Sequence, residues 1–234
     1  MSHRFYCPDL VEAGTATLAD TEFHHLVHVL RHKVDEVVEL FNGDGLFATC
    51  RIGTIRKRDV ELEIVSSQRS PLPQKEVTLA TAVPKGDRFD WLIEKATELG
   101  VRRVVPITTS RSVVDPRSSK LDKLRQTVIT ACKQSGRNHL MAISEVTSWR
   151  DFLEEFSAGH QILVAHPEGG LIDSIFPQAI SFIPPIVATI GPEGGFSEDE
   201  IQASIEAGAK AIQLGKNILR IETAAIAVAA RLLL

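Results

Sequence analysis

IVATIGPEGGFSEDE, residues 186–200, is the stretch on which the fold turns. Its first five residues are apolar with no polar alternation, as a strand of a parallel sheet covered on both faces requires. Pro192, Gly191, Gly194 and Gly195 then force a sharp turn. Ser197 followed by Glu200 is the S-x-x-E pattern of a capping box, so a helix is expected just after Phe196. Glycine turns that lead into helices often hold a phosphate at the helix N-terminus. Here the first helical turn carries Glu198, Asp199 and Glu200, which favour the helix dipole and repel an anion. No Lys-Ser or Lys-Thr pair follows the glycines, which excludes a P-loop, and GPEGGF fails the G-x-G-x-x-G pattern of dinucleotide sites. The stretch points to a ligand without phosphate, read by backbone amides and carbonyls. A merely tight loop is the alternative on these residues alone.

Working outward, EVTLATAV (76–83), RRVVPITT (102–109) and QILVAHP (161–167) read as further buried strands. DRFDWLIEKATELG (87–100) reads as an amphipathic helix ended by Gly100. LDKLRQTVITACKQSG (121–136) reads as a second helix, with Leu121, Leu124 and Val128 on one face. Alternating strands and helices imply an α/β domain, whose ligands bind beyond the carboxyl ends of the strands. Three loops fall there: HPEGG after QILVA, GPEGG after IVATI, and GKNILR after AIQL. In LGKNILRIETAAIAVAARLLL (214–234), Gly215 ends a strand and Thr223 is expected to cap a terminal helix from Ala224. That helix is apolar all round except at Arg231, which implies burial on every side, between the sheet and a second subunit. Arg220 and Glu222 stand out as chemical candidates, with a structural ion pair as the bland alternative.

Upstream, SSQRSPLPQK (66–75) is a polar linker with two prolines and marks a domain boundary. Before it, Phe23, Leu26, Val27 and Leu30 form an apolar helical stripe with Thr21 or Asp20 as cap. VVELF, LFATCRI and VELEIV read as strands joined by turns at NGDG and RKRD. A small β-barrel with one helix outside is the economical reading. His24, His28 and His32 have a spacing that could bind metal, but no carboxylate or cysteine in this stretch completes a set. A polar face turned to solvent or RNA is preferred, and no metal is expected.

The 234 residues suit two domains, and 24% charged with 44% hydrophobic side chains is a globular composition. No apolar run approaches the roughly 20 residues that span a bilayer, so no membrane partner is expected. The N-terminus MSHRFYCPDL lacks a signal-peptide core, which implies a protein that stays where it is made. Cys7, Cys50 and Cys132 form no CxxC pair, which fits a reducing cytoplasm; Cys132 is read as a buried small hydrophobe. The net charge of −4 hides an asymmetry: residues 1–74 carry −3, residues 75–137 carry +6 and residues 138–234 carry −7. Polyanion binding follows local potential, so the middle segment is the candidate RNA surface, a solvated basic face being the alternative. Lys85, Arg88, Arg102, Arg103, Arg111, Arg117 and Arg137 supply it, and Arg31 could extend it.

IGPEGGFSEDE and LGKNILRIETAAIA, with EKATELGV (94–101) and ACKQSGR (131–137), resemble the motifs of the ribosomal RNA small subunit methyltransferase E family. HHLVHVLR and ELFNGDG resemble its N-terminal domain, so nearly the whole chain is covered. The resemblance implies a PUA-like RNA-binding β-barrel over residues 1–70. It implies a SPOUT-type, trefoil-knotted α/β methyltransferase domain over residues 74–234 and a homodimer. It also implies S-adenosylmethionine as methyl donor and N3 of a uridine in 16S rRNA, on the small ribosomal subunit, as target. By the same resemblance His166, Pro167, Gly191, Gly194, Leu214, Gly215, Ile218, Leu219, Arg220 and Thr223 belong to the cofactor site. Arg220 is the first choice to stabilise the uracil anion at O2 or O4, with Glu193 or Glu222 accepting the N3 proton or fixing that arginine. After VLRHK this chain has Val34 and Asp35 where the family usually has a glycine before an acidic residue.

Three other functions use the same residues. A related methyltransferase could act on a ribose 2′-hydroxyl or on tRNA, and only the mapped product distinguishes it. An RNA-binding assembly factor would keep the cofactor fold without turnover. A nucleotide hydrolase is disfavoured by the missing P-loop lysine and the acidic helix start.

Overall fold

The computed structural model describes residues 3–113, 121–172 and 184–234. Its contacts separate two compact units, Met1–Pro73 with Ile129–Leu140 and Gln74–Val128 with Met141–Leu234.

In the first unit, β1 (Arg4–Tyr6), β2 (Thr15–Ala19), β3 (Val37–Phe41), β4 (Leu46–Ile55) and β5 (Asp59–Arg69) form one sheet, ordered β1-β3-β4-β5-β2. β1 runs parallel to β3, and the other neighbours are antiparallel. Val60 and Leu62 enter the core while Glu61 and Glu63 face outward, the alternation legible in VELEIV. Register shifts at Thr49/Cys50 and Ile52/Thr54 curl the sheet around Phe5, Leu18, Leu40, Leu46 and Ile52. The NGDG turn is closed by Asn42, whose Oδ1 accepts the N–H groups of Asp44 at 2.8 Å and Leu46 at 3.1 Å.

The helix of this unit differs from expectation. α1 (Asp20–His24) has Ala19 at its cap position and no side-chain cap, so neither Thr21 nor Asp20 caps it. Asp20 itself has a positive φ of 49°, so its backbone lies outside the helical region and its side chain is off the capping position. A π-helical turn, His25–Val29, follows and breaks the histidine spacing. His24 and His28 are exposed, whereas His32 bonds to Glu36 and to His3.

Ile129–Leu140 packs with the first unit although it lies far downstream in the chain. Arg4 donates to the carbonyl of Cys132 at 3.0 Å and pairs with Glu39, and Lys133 pairs with Glu22 at 2.9 Å. Gly45 N–H donates to Asn138 O at 2.9 Å. All three cysteines are buried. Burial pushes the Cys7 thiol up to about 11 and the Cys50 thiol up to about 12, which removes them as nucleophiles.

The second unit holds a seven-stranded sheet of β6 (Val77–Ala82), β7 (Arg103–Thr108), β8 (Ala142–Ile143), β9 (Thr147–Ser148), β10 (Gln161–Leu171), β11 (Ile186–Ile190) and β12 (Lys210–Gln213). The order is β12-β10-β11-β6-β7-β8, with β9 also on β7, and every pairing is parallel. The helices are α2 (Arg88–Leu99), α3 (Leu121–Ser135), which passes into the first unit at Ile129, α4 (Trp149–Phe156), α5 (Glu198–Glu206) and α6 (Ile221–Leu233). α2 ends at Gly100 in the left-handed conformation, as its sequence predicts. Trp149, Phe152 and Phe156 of α4 pack on Ala80, Val105, Ile107, Ile162, Val164 and Val187, alternate residues of their strands. The intervening Leu79, Leu163 and Ala188 are equally buried, and α6 packs on β6, β11 and α2. Two covered faces explain the unbroken apolar runs. α6 corrects one expectation. It starts at Ile221 with Arg220 at the cap position, so Thr223 lies inside the first turn and caps nothing. Thr223 and Ala227 are exposed in the single chain.

Asp35 has φ of 71° and donates its N–H to Ile52 O at 2.8 Å. A left-handed residue costs about 1–2 kcal/mol for most side chains, least for Gly, Asn and Asp. Asp35→Val is therefore expected to lower the urea unfolding free energy by about 1–2 kcal/mol while Asp35→Gly leaves it level or raises it; equal losses in both would contradict the backbone argument.

Candidate functional site

All strands of the second unit run the same way, so their carboxyl ends share one edge of the sheet. β6 is followed in space by β7 on one side and flanked by β11 on the other, which makes the β6/β11 junction the place where chain connections diverge, and open α/β sheets commonly take ligands beyond their carboxyl edge near such a point. The segments beyond β10, β11 and β12 lie on neighbouring strands, in the spatial order β12-β10-β11.

The first of the three expected loops is part of a strand. β10 continues to Leu171, and Ile212 of β12 pairs with both Ala165 and Gly170. His166 to Gly169 bulge out between these two pairings because Gly170 and Leu171 rejoin the ladder. Gly169 lies so close to β12 that a Cβ there would sit 2.4 Å from Ile212 C. Gln213 Nε2 donates to Pro167 O at 2.9 Å, and Glu168 N–H donates to His166 Nδ1 at 3.2 Å, which fixes the bulge. His166 is half-buried and Pro167 exposed.

The second loop is held from several sides. Gly195 N–H donates to Pro192 O at 2.8 Å, and Gly195 has φ of 69°, a turn that suits glycine. Phe196 is buried against Trp149, ring centroids 4.6 Å apart, and anchors the end of the turn. The capping box exists as read: Ser197 Oγ accepts Glu200 N–H at 3.2 Å, and Glu200 Oε2 accepts Ser197 N–H at 2.8 Å. Glu200 Oε1 also accepts Ser110 N–H at 2.7 Å, and Glu200 O accepts Trp149 Nε1–H at 3.2 Å. Arg111 Nη1 donates to Gly194 O at 2.7 Å and to Phe196 O at 3.4 Å. Glu193, at the tip, is exposed, and Gly191 is half-buried.

The third loop, Leu214 to Arg220, presents its contents to solvent. Gly215 and Arg220 are exposed, Leu214 and Leu219 half-buried, and Ile218 is 93% exposed. One turn later Glu222 is 8% exposed, and its Oε2 is buried with no hydrogen-bond partner among the described residues. Arg88 Nη1 approaches the other oxygen, Oε1, at 3.7 Å, beyond hydrogen-bond range. A purely structural pair would satisfy both oxygens, so this carboxylate is kept at a cost that packing does not explain.

The basic residues divide. Lys85, exposed, and Arg88 follow the carboxyl end of β6, and Arg111 follows that of β7. Arg102 and Arg103 stand at the start of β7, the opposite edge of the sheet, and Arg103 lies 3.7 Å from Glu155. Arg31, exposed, and Arg137, half-buried and engaged in a contact, belong to the first unit. Arg117 lies outside the described residues. Sequence reasoning missed Thr189, whose buried Oγ1 has no partner among the described residues near the end of β11; a lone hydroxyl in IVATI was the available signal. It also missed that Arg111 and Ser110 grip the glycine turn, for which residues so distant in sequence give no local sign.

Comparison with known proteins extends the picture. An RNA methyltransferase domain profile matches residues 70–233, and an RNA methyltransferase PUA domain profile matches residues 18–65. The chain is 32% identical over 224 residues to a ribosomal RNA small subunit methyltransferase E of Bacillus subtilis, covering 91% of this chain and 87% of that protein. A protein of the same description from Aquifex aeolicus is 31% identical, covering 97% and 96%. Among solved structures, a ribosomal RNA small subunit methyltransferase E from Neisseria gonorrhoeae bound to S-adenosyl methionine superposes with a TM-score of 0.86 at 32% identity, covering 99% and 96%. A putative methyltransferase from Legionella pneumophila, also in complex with this cofactor, gives 0.88 at 32% identity, covering 99% and 97%.

Because a Cβ at position 169 meets backbone rather than a movable side chain, Gly169→Ala should cost about 1–3 kcal/mol of stability. Chemical denaturation checks this, and an unchanged midpoint would mean that the bulge and β12 are not in contact.

Proposed function

We propose, from the premise that this chain belongs to the ribosomal RNA small subunit methyltransferase E family, that it methylates N3 of a uridine in 16S rRNA, uridine 1498 in that family. Membership makes it an rRNA methyltransferase that uses S-adenosylmethionine. The observation that carries the reading is the glycine turn backed by a carboxylate-rich helix start, with an orphaned buried carboxylate on α6.

The residues present fit the cofactor. It has an adenosine, a carboxylate and a sulfonium cation but no phosphate; Glu198, Asp199 and Glu200 disfavour a multiply charged phosphate at the helix start and leave the adenosine and the cation unopposed. His166 and Pro167 on the bulge, Gly191 and Gly194 on the turn, and Leu214, Gly215, Ile218, Leu219 and Arg220 on the third loop would hold it, with Thr223 beyond them. When bound it supplies an electrophilic methyl group on sulfur, which leaves as a neutral thioether.

The chain's part is to make N3 nucleophilic. N3 of uracil carries a weakly acidic proton, so a base must take it and a cation must hold the negative charge on O2 or O4. Arg220 is assigned the second role: its side chain is exposed at the start of α6 and engages no acceptor among the described residues. Glu193 and Glu222 share the remaining roles, accepting the N3 proton or fixing Arg220: Glu193 is exposed at the turn tip, and Glu222 is buried with its Oε2 unpartnered among the described residues.

For RNA, Lys85 and Arg88 flank the strand ends where the flipped base must enter. Arg102 and Arg103 at the start of β7, and separately Arg31 and Arg137 in the first unit, are the further candidates for phosphate contact. The same reading divides the chain into a PUA-like RNA-binding domain over residues 1–70 and a SPOUT methyltransferase domain over residues 74–234. It includes a trefoil knot in the second domain, a cytoplasmic setting and a homodimer. The exposed Thr223 and Ala227 on an otherwise apolar α6 give a second copy a strip to cover.

Small subunits lacking the modification, incubated with the protein and S-adenosylmethionine, should gain a single reverse-transcription stop at the target uridine, since an N3-methyl group abolishes Watson–Crick pairing. A product at a ribose hydroxyl or on tRNA would refute the assignment. Arg220→Ala is expected to slow single-turnover transfer at saturating RNA and cofactor by about a hundredfold or more; an unchanged rate would remove Arg220 from the chemistry.

A further inference from the structure

We propose that Arg111 is a positioning residue of the cofactor site, which fixes the Pro192–Phe196 turn from behind, and that it is not an RNA contact. The inference rests on reading that turn as a wall of the S-adenosylmethionine site.

The turn contains Gly194 and Gly195, the residues with the widest backbone freedom, in the segment that must present a fixed set of amides and carbonyls. Its shape therefore depends on restraints from outside. The peptide unit between Gly194 and Gly195 is held at both ends: its N–H donates to Pro192 O at 2.8 Å, and its carbonyl accepts Arg111 Nη1–H at 2.7 Å. A peptide unit is planar, so fixing both ends fixes its rotation. The same Nη1 reaches Phe196 O at 3.4 Å, one residue past the glycines. The arginine stem lies along the turn as well, since a Cβ on Gly194 would sit 3.4 Å from Arg111 Cδ and 3.5 Å from its Cβ.

The segment that carries Arg111 is itself stiff. Ser112 Oγ accepts Thr109 N–H at 2.9 Å, and Ser112 N–H donates to Thr109 O at 3.1 Å, which closes a tight turn after β7. Ser110 N–H is bound by Glu200 at 2.7 Å, so the strap is anchored on the helix that the glycine turn leads into. Moving Arg111 onto a phosphate would break the bonds that hold the turn.

The test uses the full-length protein with Arg111→Ala and Arg111→Gln, the latter keeping a donor and losing the charge. Titration with S-adenosylmethionine is expected to show about a tenfold weaker Kd for Arg111→Ala, with most of it restored in Arg111→Gln. KM for the cofactor should rise alongside, while affinity for a 16S rRNA fragment and its salt slope stay at wild-type values. Wild-type cofactor affinity in Arg111→Ala, or a salt slope reduced by about one phosphate contact in either variant, overturns the proposal. If Arg111→Ala does not fold, Arg111→Gln decides alone: near-native cofactor affinity with an unchanged salt slope supports positioning, and a reduced slope overturns it. A wild-type protein that binds no S-adenosylmethionine would instead overturn the reading of the site, and this inference with it.

Discussion

The carboxylate of Glu200 holds together the elements that make the site. One oxygen closes the capping box at the start of α5, the other takes the N–H of Ser110 after β7, and the backbone carbonyl takes the indole N–H of Trp149. A helix start, a loop from across the sheet and the aromatic core under the sheet are thus tied to one residue. Each charge-assisted bond of this kind contributes about 1.5–3 kcal/mol, and a shared acceptor makes the contributions interdependent. The glycine turn owes its position to this junction, because Phe196 is packed on Trp149 just ahead of the cap.

The same junction sets the electrostatics of the turn. Backbone amides at a strand-to-helix turn are general anion receptors. In this chain the dipole is already met by the carboxylates of its own first turn, one of which is locked in the capping box. That leaves hydrogen-bonding capacity without strong positive potential, which accords with the proposed role of the turn beside a nucleoside that carries its own cation.

Much of this was legible in the residues, and the illegible part has a common cause. The S-x-x-E box, the left-handed Gly100 and the alternation of VELEIV are set by neighbours within a few residues, and the structure has them as read. The failures depend on partners distant in the chain. HPEGG reads as a loop because its glycines are breakers, yet Gly169 exists to let β10 press against Ile212, a neighbour that only the sheet order reveals. Thr223 has the chemistry of a cap, but the terminal helix extends back to Ile221, with Arg220 at the cap position. The adherence of Ile129–Leu140 to the first unit rests on Arg4, Glu22 and Gly45, more than eighty residues upstream, about which helical periodicity says nothing.

Charge makes the same point about scale. A chain of net −4 can handle RNA because its positive residues are concentrated in one segment, but sequence concentration does not mean a common face. In a parallel sheet, residues before and after a strand emerge at opposite edges. Arg102 and Arg103 therefore leave from one edge, and Lys85, Arg88 and Arg111 from the other. On that second edge two of the three cations face protein groups: Arg88 faces Glu222 and Arg111 faces loop carbonyls. Positive charge on this edge is thus engaged mostly by the protein's own groups, so that under the proposed function the phosphate contacts there fall first to Lys85.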